Sequence, residues 1–246
     1  MKKKKKMNFR LKFVQFVTNA RVVPSADTYS NYIPRLIHRY CGKTIVASSL
    51  LIVVLLSQLS CTVQPPQNLD NLCKIFEEKR SWYKAAKRAE KKWGAPLQVP
   101  MAMMYQESKF ESDAKPPKEY LLGFIPWGRK SSAFGYSQAK TGTWKDYVRE
   151  TGNRWADRDN FADAVDFMGW FIHKTHRLNK ISKWDAGTQY LNYHEGWGGY
   201  RRGTYKSKQW LTKVAVNVNG RASRYGAQYR GCKKKLEAGW FRRLFL

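Results

Sequence analysis

One carboxylate, Glu107, closes an apolar run and is followed at once by polar residues in Met101-Ala102-Met103-Met104-Tyr105-Gln106-Glu107-Ser108-Lys109-Phe110. Leu97, Met101 and Met104 recur at four- and three-residue spacing, which puts them on one helix face, and Glu107 continues that face at its C-terminal end. A carboxylate leaving a core at a helix end, between Met104 and Phe110, is desolvated, and desolvation raises its pKa toward the range of a general acid. The same ten residues also describe a surface glutamate at a fraying helix end, so the chemistry depends on what else the chain brings to this position.

Other arrangements are weaker. His173 and His176 lie three apart on a helix, but no third Cys, Asp or His stands at ligand spacing, so a solvated pair is expected and no metal or cofactor. Ser, His and Asp occur without a nucleophile-elbow pattern, and Gly196-Trp197-Gly198-Gly199 lacks the strand and helix that a phosphate loop requires.

Three ordered motifs decide the matter. Gln106-Glu107-Ser108 with Phe110 and Asp113-Ala114 resembles the first motif of the lytic transglycosylases that carry the soluble-lytic-transglycosylase (SLT) domain, relatives of goose-type lysozyme. Ala133-Phe134-Gly135-Tyr136-Ser137-Gln138-Ala139, followed by Thr143-Trp144, resembles their second motif, usually Gly-Leu-Met-Gln. Tyr193-His194-Glu195-Gly196 resembles the third, usually Tyr-Asn-Ala-Gly. The resemblance runs roughly from Ala85 to Tyr225 and implies a lysozyme-like fold and a murein lytic transglycosylase. In that family one glutamate protonates the leaving sugar of peptidoglycan. It then takes the proton of the 6-hydroxyl of the same N-acetylmuramic acid, closing a 1,6-anhydro ring in place of a second carboxylate and water. Carried over, Glu107 is the acid and base, Ser108 and Gln138 contact the sugar, Tyr193 orients Glu107, and Tyr136 lines the cleft. Glu195, Glu111 and Asp113 depart from or flank the motifs, and a carboxylate near Glu107 would raise its pKa or open a lysozyme-type hydrolytic route.

The elements that must hold these residues read as helices. Leu72, Ile75, Phe76, Tyr83, Ala86 and Trp93 predict one helix from about Asp70 to Trp93, stopped by Gly94 and Pro96. The Glu107 helix follows, with Pro100 acceptable only near its first turn. Further helices are expected at Thr143–Thr151, Asn160–Arg177 and Lys183–Leu191, the last capped by Ser182, and over the Leu211, Val214, Ala215, Val218, Ala222, Tyr225 series. Lys115 to Lys130, with Pro116-Pro117 and Pro126-Trp127-Gly128, is too broken for a helix. It reads as an inserted aromatic loop that either forms a cleft wall for sugars, touches a membrane or buries its own rings. Ser132–Ala139 alternates as a short strand or hairpin. A mainly α domain with one small β element beside the cleft results.

Charge and export complete the picture. The chain carries +28; residues 1–60 hold 11 Lys/Arg against one acid, which leaves +18 on the remainder and asks for an anionic partner. Thr44–Leu59 is charge-free after a basic flank, and its sixteen residues span only about 24 Å as a helix, which suits a signal-peptide core better than a membrane span. Ending at a cysteine, it resembles a bacterial lipoprotein signal that would make Cys61 the lipidated first residue. An uncleaved anchor is the alternative, and both place the domain outside the cytoplasm, the lipoprotein reading at the periplasmic face of the outer membrane. With Cys41 removed and Cys61 lipidated, Cys73 and Cys232 remain and are predicted to pair, worth up to about 5 kcal/mol. The organisation expected is a leader over residues 1–60, a linker over 61–69, a monomeric catalytic domain over 70–232 and a basic, apolar tail over 233–246. A non-catalytic basic binder of glycan or nucleic acid would explain the charge but neither the export signal nor the motifs, so no nucleic-acid partner is expected.

Overall fold

The computed structural model of the protein describes residues 63–238; the apolar stretch Thr44–Leu59, Cys61 and the tail Trp240–Leu246 lie outside the described residues. Seven helices and a two-stranded antiparallel sheet make up the described part: α1 (Leu72–Glu78), α2 (Arg80–Trp93), α3 (Gln98–Ser108), β1 (Lys118–Leu121), β2 (Ile125–Arg129), α4 (Thr141–Thr151), α5 (Phe161–Asn179), α6 (Ala186–Arg202) and α7 (Gln209–Glu237). This is the mainly helical, lysozyme-like architecture expected.

Helix α3 is the axle. Val99, Met101, Ala102, Met103 and Met104 are all buried, so the helix is enclosed on every side rather than on the single face read from its spacing. It achieves this by packing against α5, α6 and α7 at once. Pro100 falls in the first turn, where its missing N–H is no loss.

The single helix expected over Asp70–Trp93 is two. Lys79, at φ −111° and ψ 71°, breaks it so that α1 can run along α7 while α2 turns to pack along α5. Phe76 and Tyr83 still meet across the break, 5.3 Å between ring centroids. Asn71 caps α1 by accepting from Lys74 N, and Gly94, in the left-handed conformation, ends α2.

The β element also lies elsewhere than expected. It is the β1–β2 hairpin inside the inserted segment, whereas Ser132–Ala139 is a chain of turns closed by one isolated bridge, Phe134 to Ala139. Helix α6 is capped by Asp185, which accepts from Thr188 N at 2.9 Å, and not by Ser182. It also continues beyond Leu191 to Arg202.

Cys73 and Cys232 form a disulfide that joins α1 to α7 across 159 residues of chain. Closing so long a loop restricts the unfolded chain strongly. The double variant Cys73→Ser/Cys232→Ser is expected to lose about 3 kcal/mol in urea unfolding. Dithiothreitol should lower the wild type to the same value and leave the variant where it is.

Candidate active site

The catalytic candidate is set by how α3 ends. Lys109 and Phe110 both adopt left-handed backbone (φ 54° and 65°), which reverses the chain immediately after Glu107. The reversal is held by Phe110, fully buried against Trp82 (5.7 Å) and Tyr105 (6.3 Å). Ser108 secures it further: its hydroxyl accepts from Phe110 N at 3.1 Å and donates to the Tyr136 carbonyl at 2.7 Å. Glu107 is left at the open end of a helix whose middle, residues 99–104, is core.

The second stretch is a tight loop strapped to both sides. Gly135, at φ 74°, donates its N–H to the Ala114 carbonyl at 3.0 Å, and Arg158 donates to the carbonyls of Ser132 and Ala139 at 2.9 Å each. Gln138 has left-handed backbone (φ 51°), and its amide nitrogen donates to the carbonyls of Ala114 (2.8 Å) and Gly135 (2.9 Å). With those donors engaged, the group Gln138 offers a ligand is its amide oxygen.

Helix α6 supplies the opposite wall. Tyr190 and Tyr193, one turn apart, share a face turned toward Glu107. Tyr190 hydrogen-bonds the Glu107 carboxyl, while Tyr193 donates to the Ser137 carbonyl at 2.6 Å. At Gly196 the helix kinks, with φ 73° and ψ 159°, a conformation open to glycine and hardly to any other residue. The break is secured by Asn179, which donates to Asn192 Oδ1 at 2.6 Å and to the Trp197 carbonyl at 3.2 Å.

These walls enclose a cavity of about 280 Å³ lined by Glu107, Gln138, Lys140, Phe171, Tyr193 and Trp197, with Ala133, Thr143, His194 and Gly196. Phe171 stacks on Trp197 (4.8 Å) and meets the Tyr193 ring edge-on (4.9 Å), which makes one side a rigid aromatic surface. Burial pushes the Glu107 carboxyl up to about 7, against the Tyr190 hydrogen bond and the Lys109 and Lys140 charges, which pull the other way. Burial and the nearby Glu107 charge hold the Tyr193 hydroxyl well above its ordinary value, so it remains a neutral donor.

Glu107 is the one carboxylate in the cavity lining. Glu195, expected from its position in the third motif to bear on Glu107, has its carboxylate 4% exposed and bound elsewhere. Lys208 reaches it at 2.7 and 3.0 Å, His194 at 2.9 Å, and Thr204 donates to it as well. Although burial raises its pKa, these hydrogen bonds from Lys208, Thr204 and His194 hold it down at about 2. It braces the second half of α6.

Among the sequence candidates, Glu107, Gln138 and Tyr193 meet in the cavity. Two others do not. Ser108 is buried with its hydroxyl committed to main chain, so it stitches the first motif to the second instead of facing the cavity. Tyr136 is buried beside Trp82 (5.5 Å) and Phe161 (5.5 Å), because the Gly135 turn sends its ring inward. The contact assigned to Tyr193 is made by Tyr190, which the sequence signalled only as a second tyrosine one turn earlier. Lys140, Phe171 and Trp197 were missed; Trp197 follows the third motif directly, while Phe171 looks like any core aromatic of α5. His173 and His176 bond to the carbonyls of Trp93 and Ile181, and no group of three or more potential metal ligands occurs among the described residues.

The family model described as transglycosylase SLT domain matches residues 49–232. Neither a curated protein nor a solved structure matches the chain. The matched span includes the helix that delivers Glu107, the Gln138 loop and the kinked helix of Tyr193. The chain belongs to the transglycosylase SLT domain family, the lytic transglycosylases that act on peptidoglycan as polysaccharide lyases.

Proposed function

We infer that Glu107 is the sole acid and base in cleaving the β-1,4 bond between N-acetylmuramic acid and N-acetylglucosamine, and that the product carries a 1,6-anhydro ring. The observation that carries this reading is the cavity's single carboxylate, pushed by burial to about 7. A group with that pKa holds a proton to give and, once ionised, is a base of useful strength at the same pH.

In the first step Glu107 passes its proton to the glycosidic oxygen, the bond from that oxygen to C1 breaks, and an oxocarbenium-like centre forms on the muramic sugar. In the second, the C6 hydroxyl of the same sugar bonds to C1 and its proton passes to the Glu107 carboxylate, which restores the acid. No water is consumed. The attacking hydroxyl is already attached to the sugar, so proximity supplies the work that a second carboxylate and a bound water do in hydrolases. Tyr190, Lys109 and Lys140 favour the ionised carboxylate between the two steps. The Gln138 amide oxygen accepts from a sugar hydroxyl or amide, and the Phe171–Trp197 surface offers apolar contact to a sugar face.

Digestion of purified sacculi and weighing of the muropeptides tests the reading. Products one water lighter than their hydrolysed counterparts are expected. Products of full hydrolysed mass would mean a water-using hydrolase, and no soluble product at all would mean a binding protein.

A further inference from the structure

Between Ala114 and Ala133 the chain leaves the helical body as the β1–β2 hairpin, and the hairpin turns apolar side chains outward. Leu122 is 77%, Phe124 73% and Trp127 71% exposed, and Tyr120 and Ile125 are exposed beside them. Five large apolar residues within eight positions form a concentrated patch, whereas the other exposed ones among the described residues, such as Trp155, Trp184 and Val216, stand singly in the sequence. The turn holds Leu122 at φ 55°, a conformation that costs a side chain of its size about 1–2 kcal/mol, yet this presents it to solvent where it stabilises nothing in the fold.

Composition is graded along the hairpin. Leu122, Gly123 and Phe124 form the tip; Tyr120 and Trp127 come next; the Lys118–Arg129 pair forms the base, with Lys115 and Lys130 just beyond. The only acid from Lys115 to Lys130 is Glu119, and it lies 4.0 Å from Lys130. Four residues of strand from base to tip cover about 13 Å. Hydrocarbon, then amphipathic aromatics, then cations is the order met on leaving the acyl region of an anionic bilayer through its headgroups. A glycan strand would use the flat rings but leave Leu122 and Ile125 without a role, so the aliphatic tip favours lipid.

We propose that this hairpin inserts its Leu122–Phe124 tip into the interfacial region of an anionic phospholipid bilayer, with Tyr120 and Trp127 at the headgroup boundary and Lys115, Lys118, Arg129 and Lys130 on lipid phosphates. The contact tethers the catalytic domain against a membrane surface independently of the segment before residue 63. It does not depend on the reaction assigned to Glu107.

The test reads the hairpin locally, so other membrane-binding segments do not confuse it. The full chain is reconstituted into vesicles of phosphatidylcholine alone or of equimolar phosphatidylcholine and phosphatidylglycerol. Hydrogen exchange is followed over residues 118–129, and quenching by brominated lipid is compared between wild type and Trp127→Phe. Exchange is expected to slow about fivefold or more in the anionic vesicles only, with a component of the tryptophan quenching that is lost in Trp127→Phe. Leu122→Glu/Phe124→Glu should abolish both signals and keep the wild-type melting temperature, since both side chains are exposed. Unchanged exchange in anionic vesicles, or equal protection in both kinds, would overturn the proposal. Protection by suspended sacculi instead, with the double variant losing turnover on them, would make the hairpin a glycan wall. Protection that grows with protein concentration and no lipid would make it a self-contact; either result also overturns it.

Discussion

Glu107→Gln is expected to lower turnover on sacculi by about a thousandfold or more, because the amide can neither supply the proton for bond breaking nor take back the one released by ring closure. The substitution keeps the size of the side chain and its ability to meet Tyr190, so substrate binding should survive and the loss should fall on kcat. A second measurement separates lost chemistry from lost structure. The folded-state pKa of Glu107 is raised from 4.5 to about 7, so the wild type gives up stability as the pH rises from the lower value through the higher one, when a buried group must ionise. Glutamine has no proton to lose. The variant should therefore melt with the wild type at pH 4 and above it at pH 8, a divergence that a misfolded protein would not show. Substantial turnover by Glu107→Gln would remove the residue from the mechanism.

The second large effect is expected at Gly135. A Cβ added there would stand 2.1 Å from the Arg158 carbonyl oxygen and 2.5 Å from its carbon, on a backbone already at φ 74°. The obstacle is main chain, so it cannot swing aside, and the loop has to move. That movement breaks the Gly135–Ala114 and Tyr136–Arg158 main-chain bonds and pulls Gln138 from the position its two amide bonds define. Gly135→Ala should lower unfolding free energy by about 4 kcal/mol or more in urea titration, and the protein that still folds should be impaired on sacculi. Gly142→Ala is the matched control. It lies in the first turn of α4 at an ordinary φ, with nothing within 4 Å of the added carbon, and should stay within about 1 kcal/mol of wild type.

Much of this arrangement could be read from the residues because it rests on local rules. The apolar period before Glu107, the Gly94 helix end and the counting argument that paired Cys73 with Cys232 all describe what the structure contains. Long-range packing hid the rest. Nothing in the sequence near Lys79 stops a helix; the break exists because α1 has to follow α7 while α2 follows α5. Alternation in Ser132–Ala139 imitated a strand, but Gly135 and the Arg158 strap fold it into turns, while Pro116, Pro117 and Pro126 disguised the true hairpin. At the site, motif residues were legible as a set but not by task. Ser108 and Tyr136 sit inside the motifs because they join one stretch to the other. Tyr190 lies outside them and makes the contact to Glu107. Glu195 could be told from a second catalytic carboxylate only by finding Lys208 and Thr204, which lie 13 and 9 positions away, wrapped around it.

The proposed mechanism depends on a carboxyl group kept protonated near neutrality by its surroundings, and the pH dependence of kcat/KM on soluble glycan strands measures that directly. The rate should fall as the pH rises through about 7, and Tyr190→Phe should move this fall to higher pH by removing the hydrogen bond that favours the ionised form. A fall centred near 4.5, the ordinary value for a glutamate, or one that Tyr190→Phe leaves in place, would contradict the account.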